Sequence, residues 1–126
     1  MEKSQTVSQN EWHIMELLWE RPRTLMELVN TLTECQGWSK STITTMVRRM
    51  DEKGLITYDT NGRTKLFRSA VAREEVTARE TTSLLQRAYH GSIGLLVSAM
   101  AQRKDLSKED IAELYAILKE AEEDAK

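Results

Sequence analysis

The chain has 126 residues, 40% hydrophobic and 30% charged, with a formal net charge of −2. That balance is globular, and the length suits one ordinary domain or a small domain with an appendage. No apolar run is long enough to span a bilayer, no charged–apolar–small leader marks the chain for export, and the single cysteine, Cys35, allows neither an internal disulfide nor a cysteine-based metal cluster, so a cytoplasmic protein without membrane partners is expected.

Ser8, followed three residues later by Glu11, is a capping box and opens a first helix. Its stripe is Trp12, Met15 and Trp19, widened by Ile14 and Leu18, and it stops before Pro22 because the residue preceding a proline resists the α region. Thr24 with Glu27 is a second capping box, and Leu25, Leu28, Val29 and Leu32 form the apolar face behind it. A third helix takes Ser39 as its N-cap and ends at Gly54, a good residue for a left-handed C-terminus. Three short helices with brief connections, the third amphipathic and rich in hydroxyls, read as a helix-turn-helix.

The third helix, "SKSTITTMVRRM" over Ser39–Met50, carries the functional signal. Ile43, Met46, Val47 and Met50 recur at i, i+3, i+4 and i+7, one helical stripe. With that stripe turned inward, Ser41, Thr45 and Arg48 point away from the core. Thr44 lies on one shoulder, Thr42 and Arg49 on the other. Threonine is a mediocre helix former, so a merely solvated face would be better served by Glu, Lys or Ala. Short donors and acceptors without acids in the first two turns suit the approach to base edges in a major groove.

Next, "LITYDTNGRTKLFRS" contains Asn61-Gly62, the strongest short signal for a tight β-hairpin turn. Ile56 and Tyr58 alternate before it and Leu66 and Phe67 follow it, and a hairpin directly after the third helix reads as a wing. Two strands need a neighbour, which the exposed sides of the helices can supply. From Gly37 to Ala70 there are seven basic residues (Lys40, Arg48, Arg49, Lys53, Arg63, Lys65, Arg68) against three acids, a local charge of +4. From Val71 onward eight basic residues meet eleven acidic ones, a charge of −3. The basic excess therefore sits around the third helix and the hairpin, where Lys40, Arg48, Arg49, Arg63 and Lys65 can meet phosphates.

After Val71 the pattern is helical only. Glu74 to about Tyr89 carries Val76, Leu84, Leu85 and Tyr89 and ends at His90-Gly91. Ser92 to Ala101 holds Ile93, Leu96, Val97 and Met100, and Ser107 caps a last helix with Ile111, Leu114, Tyr115 and Leu118 along one side, before a frayed acidic end, "KEAEEDAK". These helices have more apolar surface than a lone 55-residue appendage buries easily. Pairing with the same helices of a second chain is expected.

Other chemistry has little support. His13 and His90 are far apart, without the convergent ligands that a metal needs. Cys35 is a bystander, Trp12, Trp19 and Trp38 are expected to be core anchors, and Met15, Met46, Met50 and Met100 lie on packing stripes. No phosphate-cradling glycine loop, catalytic triad or supported carboxylate pair is present. No enzyme, cofactor or metal is expected.

"SQNEWHIMELLW", "GWSKSTITTMVRRMDEKGLI", "NGRTKLFRSAV", "YHGSIGLLV" and "LSKEDIAELYAIL" resemble, in order and nearly end to end, the penicillinase-repressor family, the BlaI/MecI/CopY group, and its BlaI/MecI branch in particular. The resemblance implies a homodimeric winged-helix repressor that binds dyad-symmetric operators near resistance genes, with Ser41, Thr42 and Thr44 where the family's base-contacting side chains lie. Copper-sensing members resemble one another in a C-terminal CxC…CxC tail, which this chain lacks. In β-lactam-responsive members a regulatory protease acts at an Asn–Phe pair in the dimerisation region; the matching position here is Ala99-Met100, which keeps a large apolar residue but not the pair itself. Ser41 stands where those members often have lysine, so the operator sequence is expected to differ.

The expectation is a mainly α fold with a small β-hairpin: a winged helix-turn-helix over 1–71 and a helical dimerisation domain over 72–126. Lys40, Ser41, Thr42, Thr44, Thr45, Arg48, Arg49, Arg63 and Lys65 would bind double-stranded DNA. Two alternatives stand beside it: a copper- or other metal-responsive repressor of the same family, and a winged-helix protein-interaction module that binds no DNA.

Overall fold

The structure is a computed structural model. It describes residues 6–125, with only the backbone of Asn61. Residues 1–5, on which the reading of no export leader partly rests, and Lys126 of the acidic end lie outside the described residues. The chain forms two compact units, Met1–Arg79 and Glu80–Lys126.

In the first unit, α1 (Gln9–Glu20) starts at Ser8, whose hydroxyl accepts from the Glu11 N–H while the Glu11 carboxylate accepts from the Ser8 N–H. It ends at Arg21, extended as expected before Pro22. β1 (Arg23–Thr24) follows, then α2 (Leu25–Gln36) with its own reciprocal capping box between Thr24 and Glu27. Gly37, at φ 73, closes α2 in the left-handed conformation. α3 (Lys40–Lys53) is capped by Ser39 and closed by Gly54 at φ 82.

β2 (Ile56–Asn61) and β3 (Thr64–Ser69) form the hairpin. Their register pairs Asn61 with Thr64, so the two-residue loop is Gly62-Arg63, one step later than the Asn-Gly signal suggested. Gly62, at φ 68, takes the first central position, the place where a II′ turn puts glycine. The third strand, which the periodicity did not reveal, is β1. It pairs antiparallel with β3, Arg23 opposite Phe67, and gives the sheet the order β1-β3-β2. A two-residue strand leaves no pattern in a sequence; the partner strand creates it.

Ile14, Met15 and Leu18 of α1, Leu28 and Leu32 of α2, Ile43, Val47 and Met50 of α3, and Leu55, Ile56 and Phe67 beside them are buried together. Each such side chain contributes about 1.5–3 kcal/mol of transfer free energy. The tryptophans are not core anchors: Trp12, Trp19 and Trp38 are half-buried and pack on the core's edge. Trp12 and Trp19 meet edge to face at 5.5 Å, and His13 meets Trp38 in the same way. Large amphipathic rings cover the rim more readily than they fill a small interior.

The chain continues as α4 (Arg73–Tyr89), whose Val76 is buried. In the second unit α4 ends with His90 at φ 51 and Gly91 at φ 80. α5 (Ile93–Gln102) is capped by Ser92, and α6 (Lys108–Asp124) by a capping box of Ser107 and Asp110. The acidic end expected to fray is helical as far as Asp124. No described side chain from 80 to 125 is buried. Among the described residues no helix is long and apolar enough to cross a membrane.

Candidate nucleic-acid interface

The inward stripe of α3 turns its other side to solvent. Lys40, Ser41, Thr42, Thr44, Arg48 and Arg49 are exposed, while Thr45 is half-covered. Thr45 is a short side chain with Ser41, Thr42, Arg48 and Arg49 at i±3 and i±4. Arg63 and Lys65 are exposed on the hairpin.

The hydroxyls are already organised. The Ser39 Oγ accepts from the Thr42 N–H and donates its one proton to Thr42 Oγ1 at 3.0 Å, so at the 3.1 Å contact with Ser41 it is Ser41 that donates. The Thr44 hydroxyl donates to the Lys40 carbonyl at 2.8 Å, leaving oxygen lone pairs facing out. Thr42 thus keeps a proton to give, and Thr44 offers an acceptor.

A groove of about 640 Å³ lies between α3, the start of α2 and the wing. It brings Thr44 and Arg48 together with Arg63 and Lys65; Lys40, Ser41, Thr42, Thr45 and Arg49 do not line it. Leu25, Met26, Tyr58 and Phe67 provide its apolar wall, and Thr24, Thr64 and Asp51 also border it. Sequence reasoning missed Met26 and Tyr58. Met26 lies off the apolar stripe of α2 and is half exposed, which is a usable signal. Tyr58 shares a strand face with buried Ile56 but lies beyond the core, nearer the hairpin tip. Tyr58 packs edge to face on Phe67 at 5.6 Å, and Lys65 Nζ sits 4.4 Å above the Tyr58 ring, which holds the lysine on the groove side.

Within 37–70, charge pairing separates these cations from the other two basic residues. Lys53 is bound to Glu11 and Arg68 to Asp59, at 2.7 and 3.1 Å. Among the described residues Lys40, Arg48, Arg49, Arg63 and Lys65 have no carboxylate partner. Five unpaired cations on one helix and its wing form a polyanion's electrostatic footprint.

On the second unit, Leu84, Ile93, Met100, Ile111, Tyr115 and Leu118 are exposed, and Leu85, Tyr89, Leu96, Val97 and Leu114 are half-buried. Tyr115 is 72% and Ile93 64% exposed. Ala99 and Met100 lie inside α5, two to three residues from its end. Cys35 is exposed, and among the described residues no group of three His, Cys, Asp or Glu side chains could hold a metal ion.

Comparison with known proteins agrees with this architecture. The family model described as "Penicillinase repressor" matches residues 7–120. The chain is 29% identical over 121 residues to the penicillinase repressor of Bacillus licheniformis, covering 95% of this chain and 94% of that one. It is 25% identical over 117 residues to the methicillin resistance regulatory protein MecI of Mammaliicoccus sciuri, covering 92% and 95%. The solution structure of the DNA-binding domain of the repressor BlaI superposes with a TM-score of 0.54 at 25% identity, covering 60% of this chain and 93% of that domain.

Proposed function

The chain belongs to the penicillinase-repressor family, a family of regulators rather than enzymes, and on that premise we propose that it is a homodimeric transcriptional repressor of antibiotic-resistance-type genes. Each α3 enters the major groove of one half of a dyad operator, and each wing meets the flanking backbone. Ser41, Thr42, Thr44 and Thr45 face bases; Lys40, Arg48, Arg49, Arg63 and Lys65 meet phosphates, with Arg48 also in reach of a guanine edge. The observation that carries this reading is the set of five cations around a hydroxyl-lined helix that have no carboxylate partner among the described residues.

The winged helix of residues 1–71 is assigned DNA binding, and the helices of 72–126 are assigned dimerisation. Support for the second assignment is the apolar surface that α4, α5 and α6 leave open to solvent. Two-fold symmetry of the protein then matches the dyad of the operator. The second half-site contact becomes intramolecular, so a monomer binds far more weakly. Repression follows from covering the promoter in the cytoplasm. Relief follows from loss of the dimer, by a regulatory protease acting at Ala99-Met100; since that bond is helical, the last turn of α5 has to open before cleavage.

The test is a mobility-shift titration of the full chain against dyad and scrambled duplexes at two salt concentrations. Tighter binding to the dyad, weakening steeply with salt, is expected. Binding absent at both salts would overturn the proposal in favour of a protein-interaction module.

A further inference from the structure

The groove between α3, the start of α2 and the wing offers two chemistries at once. Its described lining residues all belong to the first unit. The apolar wall is Leu25 and Met26 from the first turn of α2 with Tyr58 and Phe67 from the sheet. Met26 is 51% and Tyr58 38% exposed, so much of that wall is open to solvent. The charges are Arg48, Arg63 and Lys65, none with a carboxylate partner among the described residues. Asp51, one turn along α3 from Arg48, is the acid among the described lining residues, so three cations face one carboxylate. The volume, about 640 Å³, is that of a small-molecule site.

Phosphates satisfy the cations but give the Met26 thioether and the Tyr58 ring no apolar partner. A small molecule with a flat apolar body and a carboxylate satisfies both. Its body takes the wall out of water, and its carboxylate accepts charge-assisted hydrogen bonds, two-pronged from an arginine. Lys65, 4.4 Å above the Tyr58 ring, sets an ammonium against the apolar wall, where such a molecule changes from apolar to charged. From this geometry we infer that the groove binds a small amphipathic organic anion of the aryl-carboxylate class, and that this occupant excludes DNA. The exclusion rests on the DNA-binding reading above, because Thr44, Arg48, Arg63 and Lys65 are assigned to both ligands; the site itself does not. Such a ligand frees an operator while the chain stays intact, a route separate from cleavage.

The probe is naphthoate, titrated into the isotope-labelled full chain without DNA. Naphthalene-methanol serves as its neutral counterpart and acetate as the anion without an apolar body. Saturable amide shifts are expected at 24–26, 44–51 and 63–67, which border the groove. Both counterparts are expected to bind about tenfold more weakly or worse, the scale of one lost hydrogen bond to a charged group. Met26→Glu brings a second carboxylate to the wall and should weaken naphthoate by about tenfold as well, whereas Met26→Leu should not. An acid at the second position of α2 suits the helix N-terminus, so the fold tolerates it. Naphthoate is also expected to displace a dyad duplex from the native protein. No saturable shift at millimolar probe, shifts confined to 80–125, or equal affinity for the acid and the alcohol would overturn the site. Naphthoate and duplex bound together would overturn the exclusion. Naphthoate held in the groove of a chain that binds no duplex would support the site and overturn the repressor reading instead.

Discussion

Lys53 Nζ lies 2.7 Å from Glu11 Oε1, joining the last turn of α3 to the first turn of α1 across 42 residues. The same carboxylate accepts the Ser8 N–H of the α1 capping box, and the same ammonium donates to the Thr6 carbonyl. The third helix, α3, is thus clamped at its C-terminal end to the start of the fold. Burial acts to raise the Glu11 pKa, but the hydrogen bonds from Lys53 and Ser8 together outweigh it and hold the carboxyl below its ordinary value.

Glu11→Gln keeps the shape and removes the charge. A loss of about 1–3 kcal/mol is expected at neutral pH, the range for a buried polar group deprived of its charged partner. Because the native pKa is depressed, the carboxylate's contribution is complete above the unfolded value of about 4.3 and disappears as pH falls through the native one. Urea unfolding of both proteins at a series of pH values checks this. The gap between them should be widest near neutrality and close in acid; a gap independent of pH would contradict it.

Arg63→Ala should weaken binding to all duplexes alike, and Arg48→Ala should weaken it as well, most on sites with a guanine within its reach. For each phosphate that is no longer neutralised, the slope of log affinity against log salt should flatten by about 0.9. Titrations at four or five salt concentrations measure it. An unchanged slope for Arg63→Ala would remove the wing from the interface.

Ser41→Ala and Thr44→Ala should behave differently. Neither carries charge, so the salt slope is expected to stay as in the native protein. Preference among operator bases should shift, with about 1–3 kcal/mol of discrimination at stake for a good base contact. Selection from a randomised duplex pool compares the preferred sequences; identical selected sites for native and variant proteins would contradict a base-reading role.

Tyr115→Asp and Leu118→Asp place charge on side chains that are already 72% and 61% exposed. A chain that never pairs would tolerate both substitutions, since surface changes usually move stability by no more than about 0.5 kcal/mol. A dimer that buries this face would dissociate. Sedimentation equilibrium should give a monomer for each variant at concentrations where the native protein is a dimer.

Much of the first unit is legible in the sequence because its signals are local. Ser8/Glu11, Thr24/Glu27 and Ser39 each announce a helix start through hydrogen bonds made within four residues, and Gly54 announces an end. The exposure of Ser41, Thr42 and Thr44 follows from the inward stripe of Ile43, Val47 and Met50. What stayed hidden depends on distant partners. β1 exists because β3 lies beside it, and Tyr58 borders the groove because the wing carries it past the core. The Glu11–Lys53 clamp and the Glu16–Arg73 ion pair each bring together charges from opposite ends of the winged helix, and no periodicity records such pairings.

Whether α3 and the wing are the surface that meets DNA is read out residue by residue in backbone amide chemical shifts of the isotope-labelled full chain, titrated with its dyad duplex. The largest changes are expected on 40–49 of α3 and on Arg63 to Lys65 of the wing. Changes confined to 80–125, with α3 and the wing unmoved, would refute the assignment of this surface to DNA.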